Sequence, residues 1–307
     1  MRIVVIGGTG HIGTWLVPRL VRSGHDVVVV SRGSRHPYHT SDEWENSDHV
    51  VMDRESTEME GTFGNRIRAL RPDAVIDLIC FNRASASQLV DALRDDVGHF
   101  IHCGTLWVHG VPMLRPYDET APRQPFGDYG IRKAEIEEFL LSEARTGFPA
   151  TILHPGHITG PGWNPINPAG HLDMRVFEQL RNGSTVVLPE DGSATLQHVH
   201  ADDVAAAFAL AIAQPASSIG EAFHVASREP VTMASYAQTV AGWFGREALL
   251  EFLPWEEWRM GVTDRDAELT EDHIRHSPYA SIAKAERLLG FNPRYTAVEA
   301  VREALLG

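Results

Sequence analysis

The chain has 307 residues, of which 43% are hydrophobic and 22% charged, a composition typical of a globular protein with one large or two small domains. Its formal net charge of −14 argues against a nucleic-acid partner, because binding to a phosphate backbone requires a basic surface. The apolar runs are too short to cross a bilayer and the chain enters its first strand without a signal peptide. We therefore expect no membrane partner and a cytoplasmic location.

The first half of the chain alternates short apolar runs with amphipathic stretches. The runs are rich in Val and Ile with little alternation, which is typical of strands covered on both faces. Predicted strands are Arg2–Ile6, Asp26–Val30, His49–Met52, Ala74–Ile79, His99–Cys103 and Ala150–Leu153. Predicted helices are Ile12–Ser23, Phe63–Leu70, Ser85–Arg94 and Tyr129–Thr146. This order predicts an α/β fold with a doubly wound parallel sheet of the Rossmann type.

The second half is less regular. Gly156–Gly170 is rich in proline and glycine and is predicted to be a long functional loop. Short strands are predicted at Thr185–Leu188, Ala222–Ala226 and Leu249–Phe252, and helices at Asp202–Ala213, Met233–Phe244, Ile282–Leu289 and Ala297–Leu306. We expect residues 1–155 to form a dinucleotide-binding domain. Residues 156–307 should form mainly a smaller substrate-binding lid, with some segments returning to the first domain.

A glycine-rich turn joins the first predicted strand to the first predicted helix. Gly7, Gly10 and Gly13 suit a tight turn, a close approach of backbone N–H groups to a pyrophosphate, and packing of the helix on the sheet. The helix N-terminus adds donors and a positive dipole. A purely structural turn is the alternative, but the order of strand, glycines and helix favours a dinucleotide site that also includes Thr9, His11 and Ile12.

The turn after the second predicted strand bears on the choice of cofactor. An acidic residue there would bind the free ribose hydroxyls of NAD, whereas this chain has Ser31, Arg32 and Arg35. Hydroxyl and guanidinium groups suit a 2′-phosphate, so NADP is favoured over NAD, although a solvated basic loop would have the same composition. After the third predicted strand, Asp53 is a candidate for the adenine amino group, with Arg54 beside it in the cofactor site.

Lysine occurs only twice in the chain, and one of the two follows a tyrosine by four residues. On a helix, Tyr129 and Lys133 would share one face. Lysine offers a compact ammonium that fits beside a phenol and a sugar hydroxyl, whereas arginine carries a bulky planar fork. The spacing favours a tyrosine acid/base assisted by a lysine over a pair of surface residues.

These features together resemble the extended short-chain dehydrogenase/reductase superfamily, in its NAD-dependent epimerase/dehydratase branch. The similarity runs through nearly the whole chain and includes the segments Gly104–Gly110, Leu153–Pro161, His198–Val204 and Lys284–Pro293. It implies a catalytic triad of Thr105, Tyr129 and Lys133, with Pro155 beside the cofactor. In such a triad, neighbouring positive charge should lower the pKa of the tyrosine, and the lysine should also bind the nicotinamide ribose.

The resemblance implies an NAD(P)-dependent oxidoreductase that acts on a hydroxyl or ketone carbon of a small polar, sugar-like substrate. An epimerase that retains its cofactor is the alternative, and a non-catalytic dinucleotide-binding protein is less favoured. Leu106 and Trp107 follow Thr105 where related dehydratases often carry Asp-Glu, which argues against dehydration. Residues 192–198 contain no arginine for a diphosphate, which argues against a nucleotide-sugar substrate.

Several residues near the expected active site are candidates for substrate binding. They lie at strand ends or in the proline-rich loop: Trp107, His154, His157, Trp163, Asn164 and His198. Imidazoles also bind transition metals, but no Cys or Glu ligand spacing accompanies these histidines, so no metal site is predicted. Relatives often pair through the helices that correspond to Ser85–Arg94 and Tyr129–Thr146, so a homodimer is expected.

Overall fold

A computed structural model of the protein describes residues 1–39 and 41–307. Seven parallel strands form the central sheet in the order β11-β6-β5-β4-β1-β2-β3. Their bounds are β1 Arg2–Ile6, β2 Asp26–Ser31, β3 Asp48–Val51, β4 Ala74–Asp77, β5 His99–Cys103, β6 Ala150–Pro155 and β11 Ala222–Val225. The chain therefore winds outward in both directions from β1, which confirms the predicted doubly wound sheet.

Three small two-stranded sheets lie outside the central one. The parallel pairs are β7 (His157–Thr159) with β10 (His198–His200), and β8 (Val186–Pro189) with β13 (Leu250–Leu253). The antiparallel pair is β9 (Thr195–Leu196) with β12 (Val231–Thr232). The first strand of these pairs, β7, lies inside the segment that the sequence predicted to be only a loop.

Helices cover both faces of the sheet and build most of the lid. In the first half they are α1 His11–Arg22, α2 Asp42–Glu45, α3 Arg54–Met59, α4 Phe63–Ala69, α5 Arg83–Leu93 and α6 Gly127–Arg145. In the second half they are α7 Arg175–Asn182, α8 Ala201–Ala213, α9 Pro215–Ser218, α10 Met233–Trp243, α11 Trp255–Trp258, α12 Asp264–His276, α13 Ala283–Leu289 and α14 Ala297–Leu306. No helix in the described part of the chain is both long and apolar enough to cross a membrane.

The core has three apolar layers. One face of the sheet packs on α1 and α8 around Leu16 and Phe208, and the other packs on α4, α5 and α6 around Phe63 and Ile136. The third layer lies within the lid and includes Tyr236. Because β11 and α8 belong to the sheet layers, the second half of the chain contributes to both parts of the molecule.

Helix α12 was not predicted. Its sequence contains Asp, Glu, Arg and His at most positions, so it lacks the regular apolar stripe that indicates a helix. The hydroxyl of Thr263 accepts a hydrogen bond from the backbone N–H of Asp266 and caps the helix. The C-terminal turn carries His273 and His276, and both are buried against the opening of the crevice described below.

Candidate active site

The glycine-rich turn between β1 and α1 is shaped by close contacts. Gly7 has a φ of +83°, and a Cβ there would lie 2.7 Å from the side chain of Ile79. A Cβ at Gly13 would lie 2.0 Å from the carbonyl oxygen of Gly8, so α1 can approach the turn only with glycine at that position. The turn therefore has the geometry of a phosphate-binding loop. In such a loop a pyrophosphate lies beside the turn and at the N-terminus of the helix that follows.

Two cavities meet at this turn. The first, of about 480 Å³, is lined by the glycine turn and by the ends of β2 and β3. The second, of about 590 Å³, is lined by the same turn, by Thr105, Tyr129 and Lys133, and by the lid. Gly7, Gly10 and Arg35 border both cavities. Together they form one crevice at the carboxyl ends of the strands, where open α/β sheets bind ligands.

The first cavity contains the residues predicted to bind the adenosine half of a cofactor: Thr9, Ser31, Arg32, Arg35, Asp53 and Arg54. Arg32 and Arg35 are exposed at its rim. The hydroxyl of Ser31 accepts a hydrogen bond from the backbone N–H of Gly33 at 3.2 Å, and the carboxylate of Asp53 caps α3. Both arginines border the first cavity, and their role in binding a 2′-phosphate stays a prediction.

Arg54 is held rigidly inside this cavity. Its Nη1 donates to both carboxylate oxygens of the buried Asp77, at 2.7 and 3.0 Å, and its Nε donates to Glu58 at 2.6 Å. Burial alone would lower the pKa of Arg54, but the charges of Asp77 and Glu58 outweigh it and raise the pKa. Nη2 is buried without a partner among the described residues, so the guanidinium keeps one donor that the protein itself does not use.

Lys133 lines the second cavity. Its Nζ donates to the carbonyl oxygens of Cys80 and Cys103, both at 2.7 Å, and lies 5.9 Å from the centre of the Tyr129 ring. Only 2% of the lysine is exposed, and this burial lowers its pKa. The two carbonyls that hold the ammonium follow adjacent strands of the sheet, because Cys80 comes shortly after β4 and Cys103 ends β5.

Tyr129 precedes Lys133 by one turn of α6. Tyr129 as a whole residue is 43% exposed, but its phenol is buried beside the hydroxyl of Thr105. From the sequence, the pKa of this tyrosine was expected to be lowered by neighbouring positive charge. Instead, burial raises the pKa to about 12, and the hydrogen bond with Thr105 only partly offsets that increase. The expected lowering was attributed to Lys133 together with an oxidised nicotinamide ring, so it stays a prediction for the enzyme with its cofactor bound.

The side chain of His154 forms a hydrogen bond with the backbone of Thr105. The Thr105 N–H donates to Nδ1 of His154 at 3.0 Å, and Nε2 of the same ring lies 3.1 Å from the carboxylate of Glu137. A Cβ at Gly104 would lie 2.4 Å from Nδ1, so the close approach requires glycine. His154 is fully buried and lines neither cavity, which corrects its prediction as a substrate-binding residue.

Glu137 is itself fixed by a second cation. Arg123 donates to both oxygens of its carboxylate, at 3.1 and 2.6 Å. Burial would raise the pKa of Glu137, but His154 and Arg123 outweigh that effect and hold the pKa well below its usual range. The carboxylate therefore stays charged and orients His154. Nothing in the sequence pattern indicated this arrangement, because its members come from three separate segments.

Three of the predicted substrate-binding residues line the second cavity: Trp107, His157 and Trp163. Trp107 stacks on His276 with ring centres 4.2 Å apart, and Trp163 stacks on His11 at 5.1 Å. Asn164 and His198, like His154, do not line it. Asn164 is exposed outside the cavity, and His198 is fully buried in β10 with its ring 5.3 Å from that of His157.

Several residues that line the crevice were not predicted from the sequence. Phe81 borders both cavities, while Gln197 and His273 line the second. Phe81 follows a strand of the sheet by a few residues, as crevice residues of α/β proteins often do, so its position was a usable signal. Among residues 1–39 and 41–307, no three His, Cys, Asp or Glu side chains are grouped in a way that could hold a metal ion.

A family model described as NAD dependent epimerase/dehydratase family matches residues 3–226. The chain belongs to this family. The match confirms the resemblance inferred from the glycine turn and the Tyr129–Lys133 pair, and with it the class of enzyme, an extended short-chain dehydrogenase/reductase that depends on a nicotinamide dinucleotide.

Relatives in this family carry out more than one reaction. The chain is 28% identical to a 2′-dehydrokanamycin reductase from Streptomyces kanamyceticus, over 94% of this chain and 79% of that protein. It is 25% identical to a UDP-glucose 4-epimerase from Mycolicibacterium smegmatis, over 99% of this chain and 97% of that protein. The structure of a UDP-glucose 4-epimerase from Thermotoga maritima has the same fold, with a TM-score of 0.73 at 24% identity and coverage of 99% and 97%.

Proposed function

We propose that the protein catalyses the NADP(H)-dependent reduction of a ketone, or the reverse oxidation of an alcohol, on a small molecule. The observation that carries this proposal is the arrangement of Thr105, Tyr129 and Lys133 on the wall of the cavity that adjoins the glycine turn. In this reaction Tyr129 exchanges a proton with the substrate oxygen, and the hydroxyl of Thr105 holds that oxygen. A bound nicotinamide would supply or accept the hydride.

The protonation state of Tyr129 is compatible with reduction of a ketone, and the reverse oxidation uses the same phenol as its phenolate. With a pKa of about 12, the phenol carries its proton at neutral pH, which is the form that protonates the oxygen of a ketone. Lys133 lies 5.9 Å from the ring centre and provides the positive charge that stabilises the phenolate left behind. The two backbone carbonyls keep this ammonium in place during the transfer.

The residues of the crevice fit a dinucleotide. The glycine turn leaves no room for Cβ atoms at Gly7 and Gly13, and Arg54 contributes to the wall of the first cavity. The preference for NADP over NAD is supported by Arg32 and Arg35, which line the first cavity where an acidic residue would favour NAD.

Epimerisation is the second candidate function. It is supported by the match to UDP-glucose 4-epimerases along nearly the whole chain. An epimerase oxidises and reduces the same substrate on a retained cofactor, so it would purify with bound dinucleotide and give no net change in absorbance at 340 nm. A non-catalytic role is disfavoured because Thr105, Tyr129 and Lys133 are all present and together. The homodimer, in which α5 and α6 of two copies would pair, and the cytoplasmic location remain predictions.

The test of the proposed function compares wild type with Tyr129→Phe. Purified protein is incubated with NADPH and a library of ketones, and absorbance at 340 nm is followed. The variant should bind NADPH as tightly as wild type and lose turnover by ~10²–10⁴-fold, the usual effect of removing a general acid/base. Turnover in the variant within about twofold of wild type would remove Tyr129 from the chemistry.

A further inference from the structure

Beyond Thr105 and Tyr129, the walls of the second cavity are apolar. Aliphatic side chains from five segments of the chain surround the space: Leu106, Ile158, Ile166, Leu172, Leu196 and Leu269. The indoles of Trp107 and Trp163 complete the enclosure. Such walls stabilise a ligand in proportion to the apolar surface that it buries.

The polar groups in these walls are largely satisfied by the protein itself. The amide of Gln197 donates to the carbonyls of Ser227 and Ala280, both at 2.9 Å, and accepts from the N–H of Ala280 at 2.8 Å. Nδ1 of His273 lies 2.6 Å from the carbonyl oxygen of Leu269, so this nitrogen carries the proton and Nε2 is the acceptor. The walls therefore offer few hydrogen bonds to a ligand.

Apart from Lys133, the substrate side of the cavity carries no charge at neutral pH. Burial lowers the pKa of His273 to about 4 and holds the pKa of His157 well below its usual value, so both imidazoles are neutral. Among the described residues that line this cavity, the cationic side chains are Arg35 and Lys133. Arg35 also borders the first cavity, and Lys133 is bound to two carbonyls. A diphosphate here would lose its hydration without gaining a cationic partner.

We infer that the substrate is an uncharged cyclic alcohol or ketone with a large apolar surface, rather than the small polar, sugar-like molecule that the resemblance implied, and that it carries no nucleotide diphosphate. This inference rests on the proposed function, because it assumes that the reacting carbon lies beside Tyr129. The ring contacts the aliphatic walls and the two tryptophans. Its reacting oxygen meets Thr105 and Tyr129, and the rest of the molecule forms few hydrogen bonds with the walls.

The experiment uses calorimetry on full-length protein saturated with NADP⁺. The two probes are decahydro-2-naphthol, a neutral bicyclic alcohol, and UDP-glucose. We expect the alcohol to bind with a Kd below ~1 mM, and UDP-glucose at ~1 mM to give no heat of binding. UDP-glucose binding with a Kd below ~0.1 mM, or no binding of the alcohol, would overturn the inference.

Two variants localise the binding. Leu172→Asp, in a loop, and Leu269→Asp, on α12, each place a carboxylate in the apolar wall and should weaken binding of the alcohol at least ~10-fold. Leu249→Asp, at an exposed lid position outside the cavity, is the matched control and should leave it unchanged. Equal affinity in all four proteins would also overturn the inference. NADP⁺ affinity is measured first: its loss in wild type would count against the proposed function, whereas normal NADP⁺ binding with failed alcohol binding counts against the substrate class alone.

Discussion

The backbone N–H of Thr105 donates to Nδ1 of His154 across 3.0 Å. Because Nδ1 accepts this bond, the ring proton must lie on Nε2, which faces the Glu137 carboxylate at 3.1 Å. A charged, buried carboxylate thus selects the tautomer of a histidine, and the histidine fixes the main chain of the residue proposed to hold the substrate oxygen. His154 acts as a positioning residue, because it touches neither cavity.

This arrangement predicts different effects for two substitutions of similar size. In His154→Asn, the amide oxygen takes the place of Nδ1 and still accepts from Thr105, so kcat should stay within ~10-fold of wild type. In His154→Gln, the amide reaches toward Glu137 and leaves the Thr105 N–H without a partner, which costs ~1–3 kcal/mol and should lower kcat by ~10- to 100-fold. Steady-state kinetics and NADPH affinity provide the measurement. Equal losses in the two variants would show that packing alone is responsible.

A second prediction concerns the size of the cation at position 133. Lys133→Arg keeps the charge, but the planar guanidinium is too large for a buried position bounded by the carbonyls of Cys80 and Cys103. We expect turnover to fall by at least ~10²-fold and the thermal unfolding midpoint to decrease. Lys284→Arg, at the other lysine of the chain, is the control and should change neither property. Full activity in Lys133→Arg would be incompatible with the proposed role of a compact ammonium.

The third prediction concerns cofactor choice. A guanidinium bound to a 2′-phosphate forms a charge-assisted hydrogen bond worth ~1.5–3 kcal/mol, which corresponds to a ~10- to 150-fold preference for NADP(H). Arg32 and Arg35 are exposed, and solvent screening should place the value near the lower limit. Arg32→Ala should remove most of the preference and leave NAD affinity nearly unchanged, as measured by calorimetric titration of both dinucleotides. Tighter binding of NAD by wild type would contradict the assignment.

The fourth prediction is sensitivity to acid. Several histidines are buried in neutral form with the pKa lowered from 6.5 to about 4, chiefly by desolvation: His99, His109, His200, His273 and His276. Below pH 6.5 the unfolded chain takes up protons at these positions and the folded chain does not, so their contribution to stability is present above pH 6.5 and is lost progressively toward pH 4. Each histidine contributes up to ~1.4 kcal/mol per pH unit in this range.

Urea denaturation between pH 7.5 and 5 provides the measurement. The free energy of unfolding should fall by several kcal/mol across this range, and the dependence on pH should weaken in His99→Gln. His36→Gln changes an exposed histidine and should follow the wild-type curve. A free energy of unfolding that is constant between pH 7 and pH 5 would show that these histidines take up protons in the folded protein as readily as in the unfolded chain.

Local signals predicted much of the fold and part of the crevice. The strand runs, the glycine turn and the Tyr129–Lys133 spacing each depend on neighbouring residues, and periodicity or spacing is enough to identify them. The contacts of the buried histidine side chains could not be predicted this way. His154 lies 49 residues from Thr105, and only the parallel register of β5 and β6, in which Cys103 lies beside Leu153, brings the two together. Helix α12 was not predicted because its charged composition shows no regular apolar stripe. Its C-terminal turn contacts Trp107.

The two cysteines contribute to the crevice through their main chain. Their carbonyls hold Lys133, while both thiols are buried and free, with the pKa raised by burial to about 12 at Cys80 and about 11 at Cys103. The position of the ammonium therefore depends on the course of the backbone, and alanine or serine at residues 80 and 103 should preserve it. A cysteine-free form of the protein is thus attainable, and a single cysteine introduced on its surface would carry a spectroscopic label with no competing thiol.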